Sequence, residues 1–335
     1  MKRLFLLISI TIAALFSSCN LFDPEAPTRQ GWNEDTPLYG NVESVTVTAY
    51  FEERFGEAVR SGVECCDKYY FNTSGDVVEQ AYYNSDGSVG WKYIYKYDSS
   101  GNMIERVSYN SNGALREKYT YKYDSRGNKI EEAHYNSDGS VGGKDIYKYD
   151  SSGNMIERVR YYLHGSLDWR HIYMYDSHGN MIEEADYNSN GALREKHTYK
   201  YDSDGNNIEK ADYNSLGSLD WKETYTYDSH GNMIEKACYN SYGALSGKNT
   251  YKYDSRGNMV EKAHYNSDGS LRSKGTCKYD LRGNMIEKAA YNSDGSLMWK
   301  YNYKYDSHGS MIERTDGEGP EGCEMIVTYD ITYRD

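Results

Sequence analysis

The stretch YDSSGNMIERVSYNSNGALREKYTYK, residues 97–122, decides the fold, because the chain repeats it about ten times. The Tyr-Asp pair that opens it returns every 26 residues, and a Gly follows three residues after each Asp. A second Gly comes later in each unit, after Asn-Ser-x, as at Gly113. Such self-similarity is typical of repeat proteins, in which each unit packs only on its neighbours.

Each unit contains two turns. Asp-Ser-x-Gly and Asn-Ser-x-Gly both favour a type I turn followed by Gly in the left-handed region, the three-residue loop of a β-hairpin. The Asx side chain at the first position accepts hydrogen bonds from the turn, and Gly adopts a positive φ without steric cost. The structural turn residues of the first series are Asp98, Gly101, Asp124, Gly127, Asp150, Gly153, Asp176, Gly179, Asp202, Gly205, Asp228, Gly231, Asp254, Gly257, Asp280, Gly283, Asp306 and Gly309.

Two turns per unit predict an all-β protein: an elongated antiparallel β-hairpin array of about ten 26-residue units with two strands each. The loops and the period preserve parity, so odd-numbered residues are expected on one face of a single sheet. Thirty of the 34 Tyr between residues 69 and 305 are odd, whereas the Lys of the long strands and the Ile at residue 104 and its equivalents are even. We expect this wide sheet to coil or wrap with its aromatic face inward. The Tyr hydroxyls are then expected to donate to Glu105, Glu131 and Glu157.

The first 40 residues differ from the array. Lys2 and Arg3 precede a short apolar stretch, residues 4–16, which is typical of a signal peptide. Residues 15–19, Leu-Phe-Ser-Ser-Cys, resemble the lipobox of bacterial lipoproteins, although that family prefers Leu at the position of Phe16. The resemblance implies cleavage before Cys19 and a lipid anchor on it, the alternative being an ordinary secretory signal with a free Cys19. Asn20 is not the Asp that retains such proteins in the inner membrane, which favours the outer membrane or the cell surface.

The predicted organisation follows from these patterns. Residues 1–18 are a signal peptide, 19–40 the lipidated Cys and a tether, and 41–68 N-terminal capping strands. The repeat array covers 69–314, and 315–335 form a C-terminal capping strand. A disulfide from Cys65 or Cys66 to Cys323 requires the two ends of the array to meet, and the spacing leaves this open.

Residues 97–104, Tyr-Asp-Ser-Ser-Gly-Asn-Met-Ile, and their copies resemble the YD repeats of RHS-type bacterial surface and secreted proteins. The resemblance covers residues 69–314 and implies that Tyr-Asp and Gly shape the hairpins of a β shell. This unit is longer and more regular than the usual YD unit, and neither a large effector domain nor a processing core is recognisable. The Tyr-Asn-Ser-Asp-Gly turns also resemble variant MORN-type hairpin repeats.

The composition excludes several functions. A net charge of −13 argues against a nucleic-acid partner, because phosphate binding needs a basic surface. Each turn offers too few oxygen ligands for calcium, and the eight His occupy variable positions rather than a zinc motif. No catalytic constellation is present, so we expect neither an enzyme nor a cofactor nor a metal site.

The sequence favours a non-enzymatic, lipid-anchored protein of the outer membrane or cell surface that presents a scaffold for binding or adhesion to a protein or glycan. A purely structural envelope or spacer protein is a second hypothesis, and a toxin or immunity-system component, by analogy with the repeat family, is a third. Trp is enriched at binding hot spots but also serves cohesion. The candidate ligand-contact residues are Trp91, Trp169, Trp221 and Trp299.

Overall fold

The structure is a computed structural model that describes residues 38–53, 59–317 and 323–334, with side chains described for 38–49, 66–316 and 326–334. The predicted signal peptide, Cys19 and the tether up to residue 37 lie outside the described residues. The described ranges form 22 β-strands: β1 Val42–Glu53, β2 Val59–Phe71, β3 Val77–Tyr83, β4 Val89–Tyr97, β5 Met103–Asn110, β6 Leu115–Tyr123, β7 Lys129–Asn136, β8 Val141–Tyr149, β9 Met155–Tyr162, β10 Leu167–Tyr175, β11 Met181–Asn188, β12 Leu193–Tyr201, β13 Asn207–Asn214, β14 Leu219–Tyr227, β15 Met233–Asn240, β16 Leu245–Tyr253, β17 Met259–Asn266, β18 Leu271–Tyr279, β19 Met285–Asn292, β20 Leu297–Tyr305, β21 Met311–Gly317 and β22 Cys323–Tyr333. No helix within these ranges has the length and apolar character needed to span a membrane.

The strands form one closed antiparallel barrel. Each strand pairs with its neighbours in sequence, and β22 pairs with β1 over their whole length, from Val42 opposite Tyr333 to Glu53 opposite Cys323. The strands expected to cap the two ends of the array therefore pair with each other, and no edge of the sheet remains open. The predicted all-β hairpin array is confirmed, and it wraps rather than extends.

The turns have the geometry that their residues favour. In the turn at Asp202, the Gly205 N–H donates to the carbonyl of Asp202 at 3.2 Å, and Gly205 has a φ of 85°. The Asp202 N–H donates to the carbonyl of Asn206 at 3.0 Å, which closes the hairpin. The Gly of every other Asp turn also has a positive φ, because the chain reverses there in a way that a Cβ atom disfavours.

The prediction that all odd-numbered residues share one face of the sheet is wrong, because each turn is accompanied by a β-bulge that shifts the strand register by one residue. Tyr97 lies opposite Met103 but Lys96 lies opposite Glu105, so Ile104 has no partner and forms a β-bulge. Equivalent bulges stand beside both turns of each repeat, and each shifts the register by one residue. Odd residues of the long strands therefore share a face with even residues of the short strands, as Tyr95 does with Arg106. The odd-numbered aromatic face is present in the long strands only.

The face of the long-strand Tyr is the inner, concave face of the barrel. Tyr95 and Tyr147 are only 7% exposed, whereas the Lys96 side chain on the other face is 62% exposed. Burial raises the pKa of Tyr95 to about 12, because the phenolate is poorly solvated there. The predicted inward wrapping of the aromatic face is confirmed.

The expectation that Glu105, Glu131 and Glu157 accept bonds from Tyr hydroxyls is wrong. The bulges place them on the outer face, where Glu105 lies 2.6 Å from Lys96 and 2.5 Å from Lys118. Five of the described repeats contain this Lys–Glu–Lys arrangement, which we call the outer ladder.

The core of apolar side chains lies at the seam where the barrel closes. Val42, Val45 and Val77 are fully buried and pack with Tyr69 and Tyr329 on the inner face. At this seam the last Asp turn has Ser310 where other repeats have Asn. The Tyr39 N–H donates to Ser310 Oγ at 2.8 Å, so the segment before β1 docks on this turn.

Arg334 fastens the seam. Its backbone N–H donates to the carbonyl of Asn41 at 2.8 Å. Its guanidinium donates to the carbonyls of Val42 and Asn72, each at 2.9 Å, and to that of Phe71. The residue after β22 thus holds the start of β1 and the end of β2 together. Cys66 in this region is a free thiol, and the side chains of Cys65 and Cys323 lie outside the described residues.

Candidate functional site on the inner face

The Asp turns use their carboxylates to hold their own shape. Asp202 Oδ1 accepts the backbone N–H groups of Asp204 at 3.0 Å and Asn206 at 2.8 Å, and Oδ2 accepts the Asn206 amide at 3.0 Å. The Asn206 side chain, followed by these backbone bonds, lowers the pKa of Asp202. The Asp turns lie together at one end of the barrel, the Asp-turn rim, and the Asn turns at the other end, the Asn-turn rim. Open clefts of about 730 and 760 Å³ lie between successive Asp turns. They are bounded by oxygens that already accept hydrogen bonds, so the turn residues have an evident structural role.

Two rows of Tyr line the inner wall and are also bonded within the fold. The Tyr of each Tyr-Asp pair donates its hydroxyl to a backbone carbonyl twenty residues earlier, as Tyr201 does to Met181 at 2.8 Å. In the neighbouring row, the Tyr147 hydroxyl lies 3.1 Å from Glu132, and the Tyr199 hydroxyl 3.3 Å from Glu184. These hydroxyls satisfy polar groups that would otherwise be buried without partners.

The four candidate Trp lie on the inner wall, towards the Asn-turn rim. Trp91 stacks on Tyr82 with ring centroids 5.5 Å apart, and Trp299 lies 4.9 Å from the Tyr301 ring. The structure does not bring the indoles together, because β4, β10, β14 and β20 carry one each and at least three strands lie between any two of these. All four are half-buried.

Trp169 and Trp221 have cationic neighbours instead. The guanidinium of Arg158 lies over the Trp169 ring at 4.9 Å, and the ammonium of Lys210 lies over the Trp221 ring at 5.4 Å. The His171 ring lies 4.7 Å from the Trp169 ring. The two pairs of Trp therefore occupy equivalent backbone positions in different chemical surroundings.

Each long strand has an inner position two residues after the one that Trp occupies in four of the units. The residue type at this position, and that of its cross-strand partner on the next short strand, changes from unit to unit. We call this ring of pairs the variable layer. It consists of Tyr93 with Ser108, Tyr119 with His134, Asp145 with Arg160, His171 with Asp186, His197 with Asp212, Glu223 with Cys238, Asn249 with His264, Gly275 with Ala290, and Tyr301 with Asp316.

Four consecutive pairs of the variable layer carry acids, and Arg, Lys or His side chains lie close to each of them. Asp145 accepts Arg158 at 2.7 Å, while His171 Nε2 lies 2.9 Å from Asp186 and His197 Nδ1 2.5 Å from Asp212. The central sector of the inner wall is therefore densely polar.

Glu223 completes this sector. It accepts the Tyr225 hydroxyl at 2.6 Å and lies 2.6 Å from Lys236. Burial acts to raise the pKa of Glu223, but the bonds from Lys236 and Tyr225 outweigh it and hold the pKa below its ordinary value. The carboxylate is therefore ionised near neutral pH and acts as an acceptor.

Sequence reasoning missed the variable layer, because the bulges had to be known before these residues could be placed on one face. The only signal was that polar residues replace Tyr at one inner slot of the long strands. Among the described residues, no three His, Cys, Asp or Glu side chains are grouped closely enough to hold a metal ion. The arrangement offers hydrogen-bond donors, acceptors and aromatic rings side by side.

No protein family profile matches the chain, and no curated protein matches it. Among solved structures, a crystal structure of TcdB2-TccC3 without its hypervariable C-terminal region is similar, with a TM-score of 0.33 and 9% identity over 78% of this chain. The Photorhabdus luminescens Tc holotoxin pore gives a TM-score of 0.32 at 9% identity over 78% of this chain, and in both cases the match covers 19% of the other chain. A porin-like protein from Bacteroides uniformis gives a TM-score of 0.32 at 9% identity, over 87% of this chain and 98% of that one.

These TM-scores are too low to carry information about function. The chain spans about a fifth of the length of the toxin chains that it matches. The resemblance of the repeat to YD units stays a prediction.

Proposed function

We propose that this protein is a non-catalytic, lipid-anchored scaffold of the bacterial cell envelope that binds a protein or glycan ligand through the inner face of the barrel. One observation supports the proposal above all others. The turns and the Tyr rows recur in most units and the outer ladder in five, with their polar groups bonded within the fold, whereas the variable layer changes from unit to unit. Polar side chains at these slots meet no demand that the repeat itself imposes.

The lipid anchor in this proposal rests on the sequence around Cys19. Mass spectrometry of the protein isolated from membranes should show an acylated Cys19 at its N-terminus. An unmodified Cys19, or a chain that keeps residues 1–18, would contradict the anchor and leave the binding proposal untouched.

The binding proposal is tested with the full chain, purified in mild detergent, on glycan and surface-protein arrays. We expect a ligand whose binding weakens when inner residues such as Trp169 are replaced, and which is insensitive to the exposed Tyr242→Ala. A ligand sensitive to Tyr242→Ala and not to inner replacements would move the site to the rim.

A structural envelope or spacer role is the second candidate, and the outer ladder favours it. The outer surface repeats the same Lys–Glu–Lys pairs around much of the barrel, as a uniform spacer would. Absence of any array ligand, combined with an envelope defect on deletion of the gene, would favour this role over binding.

A further inference from the structure

The inner wall from β8 to β15 differs from the remainder of the barrel in a way that indicates a ligand class. We call the half-buried surface made by the variable layer of these strands, with the indoles beside it, the polar strip. Its members are the variable-layer residues Asp145, Arg160, His171, Asp186, His197, Asp212, Glu223 and Cys238, the indoles Trp169 and Trp221, and the neighbouring inner row Arg158, Glu184, Lys210 and Lys236. We infer that the polar strip binds a neutral oligosaccharide, with Trp169 and Trp221 as the platforms on which sugar rings stack; this inference rests on the proposed binding function.

The charges of the polar strip favour a neutral ligand. Five half-buried or buried carboxylates, those of Asp145, Glu184, Asp186, Asp212 and Glu223, share this wall with four cations, those of Arg158, Arg160, Lys210 and Lys236, and the exposed Glu195 lies on the same face. Cations and carboxylates lie within ion-pair distance, as between Arg158 and Asp145, and the carboxylates are in slight excess, so a polyanion meets no complementary field. A ligand rich in hydroxyl groups, each both donor and acceptor, can use both signs at once.

The two indoles offer apolar faces beside these polar groups. Arg158 covers one face of Trp169 and Lys210 one face of Trp221, and each indole is half-buried, which leaves part of it exposed to the interior. β10 and β14 are four strands apart, which places the indoles about 19 Å from each other along the sheet. Platforms at that distance suit an extended chain of several sugar rings rather than a single small molecule.

Three buried carboxylate oxygens of the polar strip, Oδ1 of Asp145, Asp186 and Asp212, have no hydrogen-bond partner among the described residues, and Asp145 is the one of the three without a His beside it. Asp145 is only 6% exposed, and its Oδ2 accepts Arg158, but its Oδ1 accepts no hydrogen bond from any described residue. The nearest cation, Arg160 Nε, is 3.9 Å from Oδ1. Buried acceptors are nearly always paired, so the orphaned Asp145 Oδ1 is suited to accept a hydrogen bond from a ligand hydroxyl.

The remaining sectors lack this combination. Trp91 and Trp299 lie beside Tyr93 and Tyr301, whose rings pack against them. Cohesion between aromatic rings explains these two Trp without a ligand. The chemistry of the wall therefore assigns sugar stacking to Trp169 and Trp221.

The test uses the full chain in mild detergent and isothermal titration with three neutral probes, cellohexaose, chitohexaose and maltohexaose, and one acidic probe, a galacturonate hexamer. We expect at least one neutral probe to bind more tightly than the acidic probe. Trp169→Ala and Trp221→Ala should each weaken that binding at least about tenfold, which is a difference of about 1.4 kcal/mol. Asp145→Asn keeps the shape of the side chain and should also weaken it, so the test does not depend on the indole variants folding.

Matched variants separate the outcomes. Tyr242→Ala removes a side chain that is 93% exposed on the Asn-turn rim and should leave the titration unchanged, while Trp91→Ala and Trp299→Ala should cause smaller losses than the polar-strip variants. The inference is overturned if no neutral probe binds, if only the acidic probe binds, or if all four Trp variants lose affinity equally. An array ligand that binds the chain with an affinity unchanged by the polar-strip variants would overturn this inference alone. The absence of any array ligand would overturn both this inference and the proposed function.

Discussion

Replacing Arg334 tests whether the barrel depends on its seam. The guanidinium donates to the carbonyls of Val42, Phe71 and Asn72, and so joins β22 to β1 and to the β2–β3 turn. A hydrogen bond to a charged donor contributes about 1.5–3 kcal/mol when it is well shielded. Arg334 is half-buried, so we take about 1 kcal/mol for each bond and expect Arg334→Ala to cost about 3 kcal/mol.

The loss should be local before it is global. Hydrogen exchange followed by mass spectrometry should show faster exchange in peptides from β1 and β22 of Arg334→Ala, with unchanged exchange in β11 to β13 on the far side. Arg334→Lys keeps the charge but not the fork of donors, so its exchange should lie between the two. Arg116→Ala, at an exposed bulge position, controls for the loss of a surface Arg. Exchange at β1 and β22 that is equal in Arg334→Ala and in Arg116→Ala would refute the proposed role of the seam.

Three further predictions follow from the repeat itself. Burial raises the pKa of Tyr95 and Tyr121 to about 12, so the stability that comes from burying the neutral phenols is complete below about pH 10 and is lost as the pH rises towards 12. Tyrosinate absorbance should therefore rise together with the loss of β-sheet circular dichroism. A rise in absorbance without unfolding would contradict this prediction. Hydrogen bonds from Lys252 and Lys274 lower the pKa of Glu261, so the contribution of its carboxylate to folding stability is present above about pH 4.5 and is lost as the pH falls below that value. Glu261→Gln should lower the free energy of unfolding, measured by urea titration, by less than about 1 kcal/mol, and by nothing in high salt. A cost that does not depend on salt would argue against the ion pairs. Gly205 has a φ of 85° with open space where a Cβ would stand. Gly205→Ala should therefore lower the free energy of unfolding by about 1–2 kcal/mol through backbone strain alone, and Gly205→Asn should lower it clearly less. Equal losses for the two variants in thermal denaturation would show that strain is not the cause.

Local chemistry explains how much of the fold could be predicted. The Asp and Gly of each turn set the hairpins through bonds within five residues, so the repeat, the strand number per unit and the aromatic character of one face were readable from the chain. The bulges could not be predicted from the sequence, because Ile104 and Arg116 are ordinary strand residues and nothing in their residue type indicates an unpaired position. One unpaired residue beside each turn reverses the face of the next strand, which moved Glu105 from the Tyr hydroxyls to the outer ladder.

The sequence by itself thus determined a 26-residue hairpin unit, its two turns and an aromatic inner face in the long strands, because these depend on contacts between near neighbours. The tertiary structure alone decided that β22 meets β1, that Arg334 and Ser310 hold this seam, and that the side chains from Asp145 to Lys236 form one surface. Closure brings together residues that are almost three hundred positions apart, and the register of every intervening strand has to be known before two side chains can be placed on the same wall. The candidate site lies on that wall.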